Sequence, residues 1–235
     1  MGKPDIIYED NDIIVCYKPA GIATQTRRIG QQDMESFIRN YRADKNEPPY
    51  VGIVHRLDQP VEGVMVFAKN QKAAASLSRQ IKEHTTEKYY RAASRGQGVS
   101  GADKEEDNHD PAWHTLTDYI SFDKRTNTSK ITSEKDRLAK KAVLQYRILS
   151  NECNKTEFDI KLLTGRHHQI RLQLANIGYP LIGDTKYGKP ASNNSGTGSK
   201  SGRTGSCVRE QLALCSYKIV FDHPATGERM TFELP

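Results

Sequence analysis

The sequence predicts an α+β fold built on a largely antiparallel, mixed sheet with flanking helices and loops. Three observations predict it. Short β-branched runs dominate the chain. Helical periodicity is confined to a few segments that interrupt those runs irregularly. The regular strand–helix alternation of a doubly wound parallel sheet is not there.

The strands are expected, in order, at 5–8, 13–17, 63–68, 88–94, 115–120, 142–149, 157–163, 212–221 and 229–234. A short helix is expected at 34–41. A better one is expected at 71–83, with Asn70 as N-cap and Ala74, Leu77 and Ile81 on one face. A third is expected at 168–177, where Ile170, Leu174 and Ile177 share a face, Gly178 stops the helix and Pro180 lies beyond. Residues 94–111 are polar and locally acidic, and 189–206 are rich in Gly and Ser. Such compositions cannot pack a core, so both are expected to be flexible surface loops. With 235 residues the chain can bury a sizeable core, and a single domain over 1–235 is expected.

The net charge is +6 and the pI about 9.0. A basic surface attracts polyanions, nucleic acid above all. Residues 124–141 hold Lys124, Arg125, Lys130, Lys135, Arg137, Lys140 and Lys141 against Glu134 and Asp136. Residues 189–209 hold Lys189, Lys200, Arg203 and Arg209 with no acid. Taken alone, each run reads as a solvated loop. No run of about 18 apolar residues suggests a membrane span, and no secretory signal opens the chain. A cytoplasmic protein is expected. Cysteines 16, 153, 207 and 215 show no C-x-x-C spacing, so free thiols are expected and a zinc site is not.

Three segments can carry chemistry. In 51–70, the run His55-Arg56-Leu57-Asp58 precedes a turn-prone stretch, Gln59 to Gly63, and then a strand. That places a carboxylate on a loop held by strands, a favoured place for catalytic groups. An isolated aspartate in a turn, however, is ordinarily a turn cap. In 162–188, Arg166, His167, His168, Gln169 and Arg171 gather where a strand gives way to a helix N-terminus, a corner suited to anions. Adjacent histidines on a helix point in different directions and no carboxylate or cysteine completes a ligand set, so no metal is expected. In 85–96, Tyr89 and Tyr90 fall on opposite faces of a strand, one inward and one outward.

Together these segments resemble the RluA family of RNA pseudouridine synthases, and the resemblance covers about residues 5–235. The opening IIYEDNDIIVCYKPAGIATQT is similar to the family's first strand pair and Lys-Pro-x-Gly turn. HRLD with a glycine five residues later resembles the active-site signature, and EKYYRA the K-x-Y-x-A segment. HTLTDYISFDKRTNTSKI and AKKAVLQYRILS resemble the middle strands. GRHHQIRLQLANIGYPLIGDTKYG resembles the family's G-R-x-H-Q-I-R segment with its later G-D-x-x-Y-G. LALCSYKIVFDHPATGERMTFELP resembles the closing strands.

The resemblance implies a pseudouridine synthase fold with its active cleft across the sheet, and conversion of uridine to pseudouridine in structured rRNA or tRNA. Asp58 matches the catalytic aspartate, Tyr90 the tyrosine that stacks on the target base, and Arg171 the arginine that pairs with the aspartate. Arg56 matches a residue that fills the space of a flipped base. Leu212 or Leu214 matches the apolar wall of the uracil pocket. His55, Arg166, His168 and Lys88 are expected to contact the RNA. The isomerisation oxidises nothing and releases no group, so no cofactor is expected. A charged carboxylate in a dry pocket is needed, and a nearby arginine would keep it charged. Unstacking the base costs a few kcal/mol, part of which Tyr90 would recover. Attack at C1′, attack at C6 and a glycal route stay open. A monomer is expected, without DNA or membrane partners. No S4-type domain is expected, so target choice would fall to the catalytic domain and its loops.

Two positions depart from the family. Arg-x-Thr-Ser-Gly after the aspartate is here Gln59-Pro60-Val61-Glu62-Gly63, and Cys215 stands where a histidine is common. The first removes a base and adds an acid beside the site. One rival reading is a non-catalytic RNA-binding protein that keeps the fold. Another is a nucleoside glycosidase, for which Glu62 is the nearby second carboxylate.

Overall fold

A computed structural model describes residues 4–26, 28, 30–95, 112–152, 154–188 and 210–235. The α+β expectation holds. Strands β1 (Asp5–Glu9) and β2 (Ile13–Lys18) form the first hairpin and are followed by helix α1 (Met34–Asp44). Then come β3 (Gly52–Ile53), β4 (Glu62–Ala68), helix α2 (Gln71–Lys82) and β5 (Glu87–Ser94). The middle strands are β6 (His114–Asp123), β7 (Thr128–Thr132), β8 (Lys140–Glu152) and β9 (Lys155–Leu162). Helix α3 (Gln169–Asn176) precedes β10 (Leu214–Asp222) and β11 (Arg229–Glu233).

The strands form one open sheet in the order β1-β2-β4-β10-β5-β9-β8-β6-β7, with β11 beside β10 and β3 beside β4. Every pairing is antiparallel except β4 with β10. At that junction Ser216 lies opposite Gly63, whose φ is +134°. A Cβ on Gly63 would fall 2.2 Å from the Ser216 carbonyl oxygen, so a side chain there would push β10 away. The glycine five residues after Asp58 is therefore a condition of the sheet's centre.

Period-2 alternation sorts the strands onto two cores. Ile13, Val15, Val64, Val66, Ile219 and Phe221 pack with Ala73 and Leu77 of α2. Ile14, Cys16, Met65, Phe67, Phe158 and Ile160 pack on the other side with Met34 and Ile38 of α1 and Ile170 and Leu174 of α3. Asp33 caps α1 by accepting the Ser36 N–H at 2.8 Å, and Asn70 caps α2 by accepting the Ala73 N–H at 2.9 Å.

Several expectations are corrected. Helix α1 runs past 41 to Asp44, because Arg42 is buried and bonds the Tyr50 and Lys69 carbonyls. The buried face of α2 is Ala73, Leu77 and Gln80; Leu77 and the partly buried Ala74 face the core as expected, and Gln80 joins them. Gln80 is held there by hydrogen bonds to the Asp222 backbone, and Ile81 is left free to line a cavity. The basic run 124–141 is not simply a loop, since it contains β7. Ser94, where the strand expected at 88–94 and the loop expected at 94–111 meet, belongs to the strand: it is buried in β5 and donates to the Pro180 carbonyl at 2.7 Å. The rest of the loop expected at 94–111 beyond Arg95, all of that at 189–206, and Cys153 and Cys207 lie outside the described residues. Cys16 and Cys215 are free thiols. Among the described residues, no helix is long and apolar enough to cross a membrane.

Candidate active site

The turn that presents Asp58 is held from both sides. On one side the buried Thr24 hydroxyl bonds Leu57 through its carbonyl (2.9 Å) and its N–H (3.2 Å). On the other, the Gln59 carbonyl accepts from the Gly21 N–H (2.8 Å) and from the Lys18 ammonium (3.2 Å). Lys18 is completely buried and also donates to the Pro19 and Ile22 carbonyls. Burial lowers its pKa to about 8, against the opposing pull of the Asp58 and Glu62 charges. The Lys-Pro-x-Gly turn is thus the clamp on the Asp58 loop. Its closing contact is Val61 N–H to the Asp58 carbonyl, at 3.0 Å.

Asp58 opens onto a cavity of about 530 Å³, within the ~300–1,000 Å³ usual for small-molecule sites. Tyr90, Leu214, Leu162, His168 and Arg171 line it together with Asp58, His168 and Arg171 lying 3.5 and 3.6 Å from the carboxylate. Its remaining walls include His55, Arg56, Lys82, His84, Lys88 and Arg166. Asp58, Tyr90 and Arg171 therefore come together from the β3–β4 loop, β5 and α3. Tyr90 is 5% exposed, and burial pushes its hydroxyl pKa up against a bond with Ser216. It remains a neutral phenol.

Arg171 is not primarily the partner of Asp58. Its Nε and Nη2 grip Asp184 at 2.7 and 2.8 Å, and its Nη1 reaches toward Asp58 at 3.6 Å. Asp184 also accepts the Lys186 and Tyr187 N–H groups. Both members of the pair are buried. Desolvation works against each charge, yet their mutual contact outweighs it, raising Arg171 and lowering Asp184. A bidentate fork fixes the guanidinium plane, leaving one N–H edge for Asp58. Sequence reasoning missed Asp184, although it lies in the quoted G-D-x-x-Y-G segment. A carboxylate in the motif that supplies the arginine was the available signal.

Four expected positions change meaning. Leu214 walls the Asp58 cavity, whereas Leu212 lines a second cavity. His55 faces the cavity, but its Nε2 accepts the Val66 N–H at 3.0 Å. Burial, helped by the Lys88 charge, brings its pKa down to about 3. It is a neutral wall, unsuited to gripping phosphate. His168 is also buried and is held by Tyr187 and Asp58. Glu62 turns into the second cavity and accepts from Tyr17 and Gln211, both at 2.9 Å. It adds no acid to the Asp58 cavity, which weakens the glycosidase reading. Three cationic positions keep a surface role open. Arg56 is exposed and touches Gln25, Arg166 is anchored through Nε to the Lys141 carbonyl, and Lys88 has no acid partner among the described residues.

Asp10, Asp12 and His223 form a separate cluster of metal-ligating types. Its atoms are engaged internally. Asp10 accepts the N–H groups of Asp12 and Ile13, Asp12 accepts from Asn70, and His223 bridges Asp10 and the Thr226 N–H. It closes turns at the sheet edge.

The same mixed sheet occurs in two solved human structures. RNA Pseudouridylate Synthase Domain Containing 4 aligns with TM-score 0.70 at 20% identity, over 98% of this chain and 88% of that one. RNA Pseudouridylate Synthase Domain Containing 1 aligns with TM-score 0.68 at 23% identity, over 99% and 83%. The architecture is therefore that of a pseudouridylate synthase domain. The sequence pattern of the family described as RNA pseudouridylate synthase matches residues 12–176, and the chain belongs to that family, in its RluA branch. Ribosomal large subunit pseudouridine synthase D of Neisseria meningitidis serogroup B is 30% identical over 98% of this chain and 58% of its own length. The enzyme of that name in Vibrio parahaemolyticus is 32% identical over 98% and 66%. Uncharacterized RNA pseudouridine synthase YhcT of Bacillus subtilis is 31% identical over 100% and 69%. This chain thus spans about three fifths to two thirds of the length of these relatives.

Proposed function

We propose that this protein isomerises uridine to pseudouridine in structured RNA, with Asp58 as the nucleophile. The observation that carries the reading is the convergence of Asp58, Tyr90 and Arg171 on one cavity from three separate elements. The reaction breaks the bond from C1′ to N1, rotates the uracil and joins C1′ to C5. The C5 proton leaves to solvent and N1 gains one. The carboxylate acts at C1′ or C6, or assists a glycal route; Tyr90 and Leu214 sandwich the base; Arg171 faces Asp58 with its Nη1 edge. Arg56, Lys88 and Arg166 contact the RNA around the cavity. The turn of the β6–β7 hairpin adds Lys124 and Arg125 and is tied down by Lys186, which donates to the Asn127 carbonyl. Ribosomal RNA is the favoured substrate, because relatives named for the large ribosomal subunit match nearly the whole chain; tRNA is the alternative. The site of action is the cytoplasm.

The test is tritium release from C5-tritiated uridine in rRNA and tRNA transcripts. Native protein is expected to release tritium, and Asp58→Ala to release none. Equal release from both would remove Asp58 from the chemistry. Tight RNA binding with no release from the native protein would mean a binding protein that keeps the fold.

A further inference from the structure

His168 occupies an unusual place. It is the N-cap of α3, its φ is +54°, and its side chain makes no capping bond. A non-glycine residue in the left-handed region is held there by its surroundings, and such residues cluster at functional sites. Here the surroundings are two hydrogen bonds and a longer polar contact. The Ser129 N–H donates to the Tyr187 hydroxyl oxygen at 2.8 Å. That hydroxyl lies 2.9 Å from His168 Nδ1. His168 Nε2 then faces Asp58 Oδ2 at 3.5 Å. The Tyr187 oxygen accepts from the Ser129 N–H, and its own proton lies within reach of the Nδ1 lone pair.

We propose that His168 is a positioning residue for Asp58, fixed by the Ser129–Tyr187 chain in the tautomer that carries its proton on Nε2. This inference rests on the proposed function for its catalytic consequence, but not for the tautomer. The Nε2–H and the Arg171 Nη1–H then approach the Asp58 carboxylate together and orient its lone pairs for attack. A separation of 3.5 Å is long for a hydrogen bond, and catalytic contacts of this kind often tighten only in the complex with substrate. The charged groups around the ring agree with a neutral imidazole. Desolvation, then Arg171, His167 and Lys186, lower its pKa to about 3, with Asp184 opposing them. A neutral ring has a single N–H, so its placement is a choice that Tyr187 makes. His167 backs the arrangement, stacked on His168 with ring centroids 3.7 Å apart and bonded to the Ser129 hydroxyl.

Two measurements test this. In ¹⁵N spectra of histidine-labelled protein, His168 is expected to show a protonated Nε2 and an unprotonated Nδ1, and Tyr187→Phe to give a mixture. In tritium-release kinetics, Tyr187→Phe is expected to lower kcat roughly tenfold or more with KM unchanged, as for loss of an interaction made in the transition state. His168→Ala should lose more, and His168→Gln, which keeps an N–H donor, should recover part of it. A protonated Nδ1 in the native protein overturns the inference, as does native kcat in Tyr187→Phe. Absence of release from native protein removes the proposed function instead, and the spectra alone then decide whether the chain exists.

Discussion

Asp58 is surrounded by groups that are themselves held. Arg171 reaches it with one edge because Asp184 grips the other two nitrogens. Removing one member of a buried pair strands the other charge, at about 3–5 kcal/mol. Asp184→Asn is therefore expected to destabilise the protein by about that much and to lower kcat, as the guanidinium swings from its fixed plane. Urea unfolding beside tritium-release kinetics checks both, and native stability in Asp184→Asn would mean the fork is open in solution. The residues proposed to touch substrate were legible in the sequence because motif and chemistry coincide there. Lys18, Asp184 and Tyr187 were visible only as letters of a motif. Their work is done across distances in the chain that no local pattern encodes, such as Lys18 on the Gln59 carbonyl. Gln59 itself illustrates the limit. It departs from the familiar arginine, yet it extends the clamp, since its side-chain amide donates to the Gly21 carbonyl.

At the scale of elements, the parallel contact of β4 with β10 sets the site. It lies directly after the Asp58 turn and brings Ser216 of β10 opposite Tyr90 of β5. Gly63→Ala is expected to cost roughly 1–3 kcal/mol, as overpacking does, and to shift Tyr90 and Leu214 enough to reduce activity. A lowered thermal midpoint with reduced kcat is the expected result; a variant of native stability would show that β10 has room. Strand and helix types were readable wherever period 2 or 3.6 ran clean. β7 was not, because Thr128–Thr132 sits within a basic run whose charge outweighs its short alternation. Leu77 and Ala74 were read correctly as facing the core from α2, but Gln80 was not, because it is buried through its bonds to Asp222, which hydrophobicity does not record.

For the whole molecule, the buried histidines set the acid limit. His55 and His168 titrate near 6.5 when unfolded but near 3 when folded. The folded state refuses protons that the unfolded chain accepts. Between about pH 6.5 and 8, where the buried Lys18 is still protonated in both states, stability should then be level; below 6.5 it should fall by ~1.4 kcal/mol per pH unit for each ring, the full loss being reached by about pH 3. The ion-paired carboxylates do not obscure this. Burial would raise Glu9, but bonds from Lys45, Lys69 and Tyr41 bring it to about 2, and bonds led by Tyr89 do the same for Glu87. Their contribution is complete above about pH 4.5 and fades only beneath it, as pH falls toward 2. Urea midpoints between pH 7.5 and 5 isolate the histidines, and a flat profile across that range would contradict their neutral state. The place of β10 in the sheet has a different consequence, for the order in which the protein is made. Among the described residues, one half of the sheet, β1 to β4, and the other, β5 to β9, are joined by strand pairing only through β10, which follows both in the chain. A nascent chain on the ribosome can pair each half early, but Asp58 and Tyr90 face each other across a missing strand until residue 222 has emerged. The cavity shared by Asp58 and Tyr90 is thus completed late in synthesis, after the basic β6–β7 hairpin has formed.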